Sequence, residues 1–290
     1  MGAPLLLADN LLAATQYGSN VLVDQSGTTG PVGNEVWRVG DGRRSAFDFW
    51  QPGVTNADAF LLLTCMGLPA GSTTPTVMPR GANCLIVDRG HNLGGFAVKL
   101  LGSNDNVSFA TVVSAFVPTV GGVIGGANGV LTEEGAWLVT FPSQGYAYWK
   151  FDVPAMGVGL QPAIVGLWLG MAYQPVALYR PFMEHPTDFR AQETVSPLGW
   201  RGRGPRAFNR SGALNVRMND FFEYVQLARF TLDELFGAGV PMWVVQDQDR
   251  ATEAFLALRP IGTQGFVQPQ NWATPIGTLN VLEHEPLPVS

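Results

Sequence analysis

Residues 84–101, which read CLIVDRGHNLGGFAVKLL, decide the fold class. They hold two short apolar runs, Cys84–Val87 and Phe96–Leu101, on either side of a glycine-rich turn. His91 lies in that turn, where we expect its ring to hydrogen-bond the backbone rather than to take part in chemistry. The stretch therefore predicts a strand, a turn that redirects the chain, and a second strand.

The same pattern recurs between the N-terminus and about residue 178. Further strand-like runs, separated by Gly, Pro, Asn and Ser, are Val21–Val23, Phe60–Thr64, Thr111–Phe116, Trp137–Phe141, Tyr146–Val153 and Ile164–Tyr173. Within Tyr146–Val153 we expect Trp149, Phe151 and Val153 to face the core, because alternate side chains of a strand point to opposite faces. Short strands at this spacing predict an antiparallel β-sandwich. Pro118–Gly129, rich in glycine, predicts a flexible loop or a hairpin ordered by a partner.

The composition supports a mainly β protein. Only 14% of the 290 residues are charged, where about 25% is usual, and there are 35 glycines and 21 prolines. With 46% hydrophobic residues, these values exclude a disordered chain, a coiled coil and a mostly helical bundle.

Charge and hydropathy restrict the partners. The net charge is −6, and of the 17 basic residues only Lys99 and Lys150 are lysines, so we predict no general nucleic-acid binding. The first apolar run lacks a basic start and is interrupted by Asp9 and Asn10, so it does not predict a signal peptide. Residues 163–176 are too short an apolar stretch to span a bilayer, and we expect no membrane insertion.

The chain changes character after residue 178. Six arginines lie among prolines and glycines between 179 and 210, which predicts a boundary near 178–182 and two domains, 1–178 and 179–290. In the second domain we predict one helix near 220–237, capped by Asp220 with Glu223 three residues later. Its expected apolar stripe is Phe222, Val225, Leu227, Phe230, Leu232 and Leu235. Strands are predicted at 241–246 and 278–283, and a strand or helix at 254–258, giving a smaller β domain with one helix.

No residue pattern predicts an enzyme. The three histidines, His91, His185 and His284, lack metal-binding spacing, and the acidic pairs at 133–134 and 247/249 lack the partners of a hydrolase or calcium site. We therefore predict no catalytic residue, no metal and no cofactor. Two cysteines, Cys65 and Cys84, leave open whether they pair.

The aromatic loop residues Trp37, Phe49 and Trp50 are candidate glycan contacts, because exposed aromatic rings stack on sugars. A core position for Trp37 and Trp50 is the alternative, since most tryptophans in sandwiches are buried.

Residues 7–178 resemble a discoidin-type, galactose-binding-like jelly roll as it occurs in bacteriophage virion proteins. The motifs that carry the resemblance are Ala8-Asp-Asn-Leu-Leu, Gly40-Asp-Gly-Arg-Arg-Ser followed by Phe49-Trp50, Leu85-Ile-Val-Asp-Arg-Gly-His-Asn-Leu-Gly-Gly, Val98-Lys-Leu-Leu-Gly-Ser-Asn-Asp-Asn-Val-Ser-Phe, Ala147-Tyr-Trp-Lys-Phe-Asp-Val and Val165-Gly-Leu-Trp-Leu-Gly. Gly102-Ser-Asn-Asp predicts a hairpin whose Asn and Asp side chains bond their own backbone. Residues 180–290 are similar in architecture to the tail-ring modules of siphophage distal-tail and minor-tail proteins, namely an antiparallel sandwich flanked by one helix.

This resemblance implies a structural virion protein of a tailed phage, in a tail-tip or baseplate ring, assembled in the host bacterial cytoplasm. Its expected partners are copies of itself and other tail proteins, together with a host-surface glycan if the jelly roll binds one. The alternatives are a host-surface carbohydrate-binding module and a capsid or neck decoration protein. The candidate interface residues are Arg201, Arg203, Arg206 and Arg210, which have an alternative role in clamping the two domains within one chain.

Overall fold

The computed structural model describes residues 3–13, 16–24, 35–40, 49–53, 57–117, 129–132, 135–179, 187–190, 193–195, 201–203, 207–260, 262–269 and 275–283. The predicted loop at 118–129 lies outside these residues except for its last glycine. The described chain is mainly β, with antiparallel sheets, as the sequence predicts.

The chain divides into two compact units. One comprises Asp9–Ala172 with Gln248–Glu253, and the other comprises Met1–Ala8, Tyr173–Asp247 and Ala254–Ser290. We call the first the sandwich unit and the second the C-terminal unit. The division differs from the predicted one at 178 in three ways. The main boundary falls at 172/173, and Gln248–Glu253 belongs to the sandwich unit. The first eight residues belong to the C-terminal unit, where their strand pairs.

The strands of the first 179 residues are β1 Leu5–Leu7, β2 Val21–Asp24, β3 Ala59–Thr64, β4 Met66–Gly67, β5 Thr76–Val77, β6 Arg80–Val87, β7 Val98–Ser103, β8 Ala110–Phe116, β9 Val130–Leu131, β10 Trp137–Tyr146, β11 Tyr148–Val153, β12 Leu167–Gly170 and β13 Ala177–Tyr179. Each of the eight predicted runs overlaps at least one of these strands. The sequence missed β1, β13 and the two-residue strands.

The sandwich unit consists of two antiparallel sheets that bury their facing sides. One has the strand order β2-β3-β11-β7-β8 and the other β12-β6-β10-β9. Strand β11 alternates as predicted, with Trp149, Phe151 and Val153 buried and the residues between them only partly so. The core contains side chains of both sheets, for example Leu61 and Trp149 from one and Leu85 and Leu169 from the other. The hydrophobic effect therefore holds the two sheets face to face.

The remaining strands are β14 Thr187–Arg190, β15 Glu193–Val195, β16 Arg201–Arg203, β17 Ala207–Arg217, β18 Met242–Val245, β19 Phe255–Leu258, β20 Phe266–Val267 and β21 Ile276–Glu283. The strands predicted at 241–246 and 278–283 are confirmed as β18 and β21, and the segment at 254–258 is a strand.

One eight-stranded antiparallel sheet forms the C-terminal unit. Its order is β1-β18-β19-β21-β17-β13, with β14 paired to β17 and β20 paired to β21, while β15 and β16 form a separate pair. Apart from β15 and β16, the described strands of this unit thus make a single large sheet, where the resemblance implied two stacked sheets. Strand β1 was missed because LLL shows no alternation and its partner β18 lies far along the chain.

The predicted helix exists, with an unexpected geometry. It begins as an α-helical turn, Phe221–Glu223, and continues as π-helical segments Tyr224–Ala228 and Phe230–Phe236. The cap is confirmed, because the Asp220 side chain accepts from the Glu223 N–H at 2.9 Å and the Glu223 carboxylate accepts from the Asn219 N–H at 2.6 Å. The predicted stripe is wrong at four positions, since Phe222, Val225, Leu227 and Phe230 are exposed.

Candidate functional site

One end of the sandwich gathers the loops that precede and follow most of its strands. Strands β2, β6 and β11 end there, and β3, β7, β10 and β12 begin there, as their antiparallel registers require. We call this the loop end. It holds Trp50 and the turn with His91. Loops placed by a rigid scaffold are where binding residues concentrate.

A short 3-10 helix, Val36–Gly40, sets the position of Trp37. A 3-10 helix repeats every three residues, so Val36 and Val39 share a face, and both pack on the sandwich core. Gly40 fits closely against the backbone of Leu12, where a β-carbon would lie 2.3 Å from the Leu12 carbonyl oxygen. Trp37 consequently points outward and is 51% exposed.

Two charged side chains accompany the indole ring of Trp37. The Arg38 guanidinium carbon lies 4.9 Å from the ring centroid, and Arg38 Nε donates to Glu35 Oε2 at 2.8 Å. The arginine is therefore held both by the π face and by a carboxylate. The result is a flat apolar surface beside one fixed cation and one fixed anion.

Trp50 is a core residue, and its prediction as a glycan contact is wrong. Its ring is 1% exposed and its indole N–H donates to Asp24 Oδ2 at 3.0 Å. Its backbone forms two hydrogen bonds with Ile164, which tie the loop before β3 to the loop before β12. Phe49, next to it, is partly buried, and its role in glycan contact stays a prediction.

A network of amide side chains closes the loop end beside Trp50. Gln51 Nε2 donates to Gln161 Oε1 at 2.8 Å, and Gln161 Nε2 donates to the Pro52 carbonyl at 3.0 Å. Asn92 donates to the Gln161 carbonyl at 2.8 Å and accepts from the Ala163 N–H at 2.7 Å. These groups satisfy one another, so we assign them the structural task of fixing the loops.

His91 has the structural role predicted for it. Its Nδ1 accepts from the Leu93 N–H at 3.2 Å, and its ring lies edge-on to Trp137, with centroids 4.6 Å apart. Burial lowers the pKa of His91 to about 4, so the ring is neutral at pH 7. In the preceding turn, Asp88 and Arg89 are both buried, and the Arg89 N–H donates to Asp88 Oδ1 at 2.8 Å.

A second polar cluster lies at the opposite end, around Asp9. Its carboxylate accepts from the Tyr17 hydroxyl at 2.6 Å and from the Met171 N–H at 2.9 Å, while the Arg80 guanidinium lies 5.4 Å from the centroid of the Tyr17 ring. Burial raises the pKa of Asp9 and also that of Tyr17. The sequence carries one sign of this cluster, the pair Asp9-Asn10 inside the first apolar run. From the sequence alone, that pair indicates only that the run is interrupted.

The hairpin between β7 and β8 partly matches its prediction. Asp105 accepts from the backbone N–H groups of Val107 and Ser108, at 2.8 Å each, and these bonds lower the pKa of its carboxyl to about 2. Asn104 instead accepts from the Ala147 N–H of the neighbouring chain segment at 3.0 Å. The side chains thus fix both the turn and its contact with the approach to β11.

The cysteines do not pair. Cys65 and Cys84 are both buried free thiols, and burial raises the pKa of each, that of Cys65 to about 12. Neither thiol is therefore activated as a nucleophile. Among the described residues there is no cluster of His, Cys, Asp or Glu suited to a metal ion. Within the same ranges, no helix has the length and apolar character to cross a membrane.

The arginine-rich segment is described only in part. In the β15–β16 pair, Arg203 lies opposite Glu193 and Arg201 opposite Val195, and Arg210 lies in β17 opposite Thr187 of β14. The structure describes the backbone of these residues alone, and Arg206, His185 and His284 lie outside the described ranges. The interface role of the arginines stays a prediction.

Comparison with known proteins gives no family and several solved structures. No family model matches the chain, and no curated protein matches it. Chitosan-binding module 1 of a Paenibacillus sp. IK-5 chitosanase/glucanase shares 13% identity over 56% of this chain and 98% of its own, with a TM-score of 0.37. CpGH89CBM32-5 from Clostridium perfringens, solved with GalNAc-β-1,3-galactose, shares 18% identity over 53% and 96%, also at 0.37.

A larger protein also matches. A Bacteroides thetaiotaomicron putative α-L-fucosidase shares 12% identity over 57% of this chain but only 29% of its own, with a TM-score of 0.38. The structural neighbours named here include carbohydrate-binding modules. TM-scores this low do not assign a common function to this chain and these proteins.

Proposed function

We propose that the sandwich unit binds a glycan, with Trp37 as the surface on which a sugar ring stacks. The observation that carries the proposal is the outward position of Trp37, 51% exposed, on a turn anchored by Val36 and Val39. A large indole held on an anchored turn presents a flat apolar ring on which a sugar ring can stack.

The neighbours of Trp37 supply the polar half of sugar recognition. Sugar rings present C–H groups on one face and hydroxyls around the rim, so a binding site needs an apolar plane beside fixed donors and acceptors. Arg38 and Glu35 hold each other at 2.8 Å. A guanidinium has five donors and a carboxylate several acceptor positions, so the pair is able to bind hydroxyls as well as each other.

We further propose that the bound sugar is not hydrolysed. Glycoside hydrolysis uses two carboxyl groups across the scissile bond, one of them held protonated. The Glu35 carboxylate beside Trp37 instead accepts from the Arg38 guanidinium at 2.8 Å. It is engaged as a hydrogen-bond acceptor, the role that suits sugar binding.

The test is binding of the full-length chain to a glycan array, followed by titration with soluble sugars, chitotriose and GalNAc-β-1,3-galactose among them. We expect Trp37→Ala to weaken binding at least about tenfold, since one stacked aromatic is worth roughly 1.4 kcal/mol or more. The melting temperature should not change. Val107→Ala is the control, because Val107 is an exposed apolar residue in the hairpin between β7 and β8 of the same unit.

Three results contradict the proposal. If no glycan on the array retains the wild-type chain, the sandwich unit does not bind glycans. If wild type and Trp37→Ala bind with equal affinity, Trp37 is not the binding site. If chromatography detects the release of shortened sugars, the chain hydrolyses its ligand.

We propose as a second candidate the role that the resemblance implies, a structural subunit of a tailed-phage tail tip or baseplate. The observation that favours an assembly role is the apolar side chains that the helix of the C-terminal unit presents to solvent, among them Phe222 and Leu227. Electron microscopy of the purified chain tests it. Rings with sixfold or threefold symmetry support a tail position, whereas copy number per particle distinguishes a capsid or neck decoration protein. A chain that stays monomeric and is absent from purified particles contradicts it.

A further inference from the structure

The helix Phe221–Phe236 has one buried side and one apolar exposed side. The buried side consists of Tyr224, Ala228, Leu232 and Phe236, which recur every four residues and pack in the core of the C-terminal unit. The exposed large apolar residues are Phe221 at 49%, Phe222 at 71%, Val225 at 43%, Leu227 at 60% and Phe230 at 42%. We call these five residues the outer helix face.

The size of the outer helix face matches the centre of a protein interface. From these exposed fractions and the usual area of apolar side chains, the five residues present on the order of 500 Å². Single proteins rarely leave contiguous apolar patches above roughly 300–600 Å² without a function. A stable interface buries about 800 Å² on each partner, with an apolar centre and a polar rim.

We propose that the outer helix face pairs with the same face of a second copy of this chain, the two helices running antiparallel about a twofold axis. The face is self-complementary in that arrangement. With the axis between Val225 and Gln226, Phe221 lies opposite Phe230 of the partner subunit, and Phe222 lies opposite Arg229 of the partner subunit. Aromatic rings then meet an aromatic ring or a guanidinium at both ends, as a twofold interface requires.

The charges at the rim favour a second copy over a lipid surface. Arg229 and Glu234, both more than half exposed, form a pair at 3.5 Å, so the rim carries one charge of each sign. The Glu223 carboxylate is occupied by the Tyr173 hydroxyl and the Asn219 N–H. The Tyr224 hydroxyl donates to the Asp233 carboxylate. With one arginine among these acids, the helix lacks the basic rim with which amphipathic helices bind anionic membranes.

This pairing of two copies is separate from glycan binding. It rests on the assembly role proposed above and specifies the surface through which two copies join. The test measures the mass of the full chain by light scattering at rising concentration. We expect a concentration-dependent dimer, or a larger assembly built from dimers, that Val225→Glu weakens about a hundredfold, because it buries one carboxylate from each copy beside the axis. Val158→Glu is the control, because Val158 is 90% exposed in the sandwich unit.

A cross-linking experiment fixes the geometry. Gln226→Cys places a thiol beside the proposed axis, while the native Cys65 and Cys84 are buried and unreactive. Mild oxidation should join two copies through residue 226 and should not join copies of Val158→Cys.

Each other outcome rejects a defined part of the inference. A wild-type chain that is monomeric at all concentrations rejects the pairing, and one that is also absent from purified particles rejects the assembly role. An oligomer that Val225→Glu leaves intact, or that Gln226→Cys does not cross-link, rejects this surface and leaves the assembly role standing. Flotation of the wild type, but not of Val225→Glu, with phosphatidylserine vesicles makes the occupant a membrane and rejects the second copy.

Discussion

The two units of this chain bury their apolar residues in different ways. In the sandwich unit, two sheets cover each other, and large rings such as Trp50 and Trp149 are sealed between them. In the C-terminal unit, one large sheet packs against one helix, and that helix buries Leu232 and Phe236 while leaving Phe222 in solvent. The first arrangement encloses these rings between its sheets, whereas the second leaves large apolar side chains of its helix exposed.

The difference separates two kinds of exposed aromatic residue. Trp37 is an exposed ring with charged neighbours in the sandwich unit, which suits a small polar ligand. Phe222 belongs to the outer helix face with four other exposed apolar residues, which suits another protein surface. The two proposals therefore assign ligand binding to one unit and assembly to the other.

The largest effect that we predict is the loss of stability caused by Trp149→Ala in the sandwich core. Trp149 is 1% exposed and contacts Tyr146 edge-on, with centroids 5.2 Å apart. Its loss should cost about 3–5 kcal/mol, because it removes a large buried ring and leaves a cavity. Trp37→Ala, which removes an exposed ring from the same unit, should cost under about 1 kcal/mol.

Hydrogen exchange by mass spectrometry measures this prediction unit by unit. Peptides of β3, β7 and β11 should lose protection in Trp149→Ala, and peptides of β17 and β21 should keep theirs, because the two units have separate cores. Equal loss in both would show that the chain has a single cooperative core, which contradicts the division drawn here.

The sequence predicted the sandwich well because its strands carry local signals. Each run is short and apolar and is bounded by glycine, proline or asparagine, and β11 alternates strictly, so both the strands and the buried face of Trp149 follow from periodicity. The His91 turn and the Asp220 cap are equally local, since each depends on atoms within a few residues.

For Trp37 and Trp50, the sequence left open whether each ring lies on the surface or in the core. Trp37 and Trp50 have similar sequence surroundings, and what separates them is tertiary. Val36 and Val39 anchor one turn so that Trp37 faces out, while the pairing of Trp50 with Ile164 draws the other ring inward. The outer helix face was missed because the sequence analysis put most of its residues on the buried stripe of a regular helix, whereas the π-helical segments bury other residues, among them Tyr224, Ala228 and Leu232.

A smaller predicted effect is a pH-dependent change in the stability of the sandwich unit, caused by His91. Burial lowers its pKa from 6.5 to about 4, so as the pH falls the unfolded chain binds a proton before the folded chain does. The sandwich unit should therefore lose stability between pH 6.5 and 4, by up to about 3 kcal/mol. Above pH 6.5 this contribution is fully present.

The measurement compares the unfolding free energy of wild type and His91→Gln across that range. The difference between the two proteins isolates His91 from Asp9, which acts with the opposite sign. Burial raises the pKa of Asp9, so the folded chain binds that proton first and gains stability on acidification. A difference that stays constant from pH 7.5 to 4 would show that the His91 ring is able to ionise in the fold, contrary to its packing against Trp137.

The smallest expected effect concerns the start of the helix and tests whether the outer helix face depends on a fixed helix end. Asp220→Ala removes the acceptor of the Glu223 N–H and should cost about 1 kcal/mol, within the range of 0.5–2 for helix caps. Asp220→Asn keeps an acceptor oxygen and should cost much less, so the pair separates capping from charge. Hydrogen exchange at Phe221–Tyr224 should rise in the alanine variant alone. Because Phe221 and Phe222 lie in that first turn, dimerisation should weaken in parallel. Fraying without any loss of dimer would mean that the first turn does not take part in the contact, which would move the proposed axis towards Phe230.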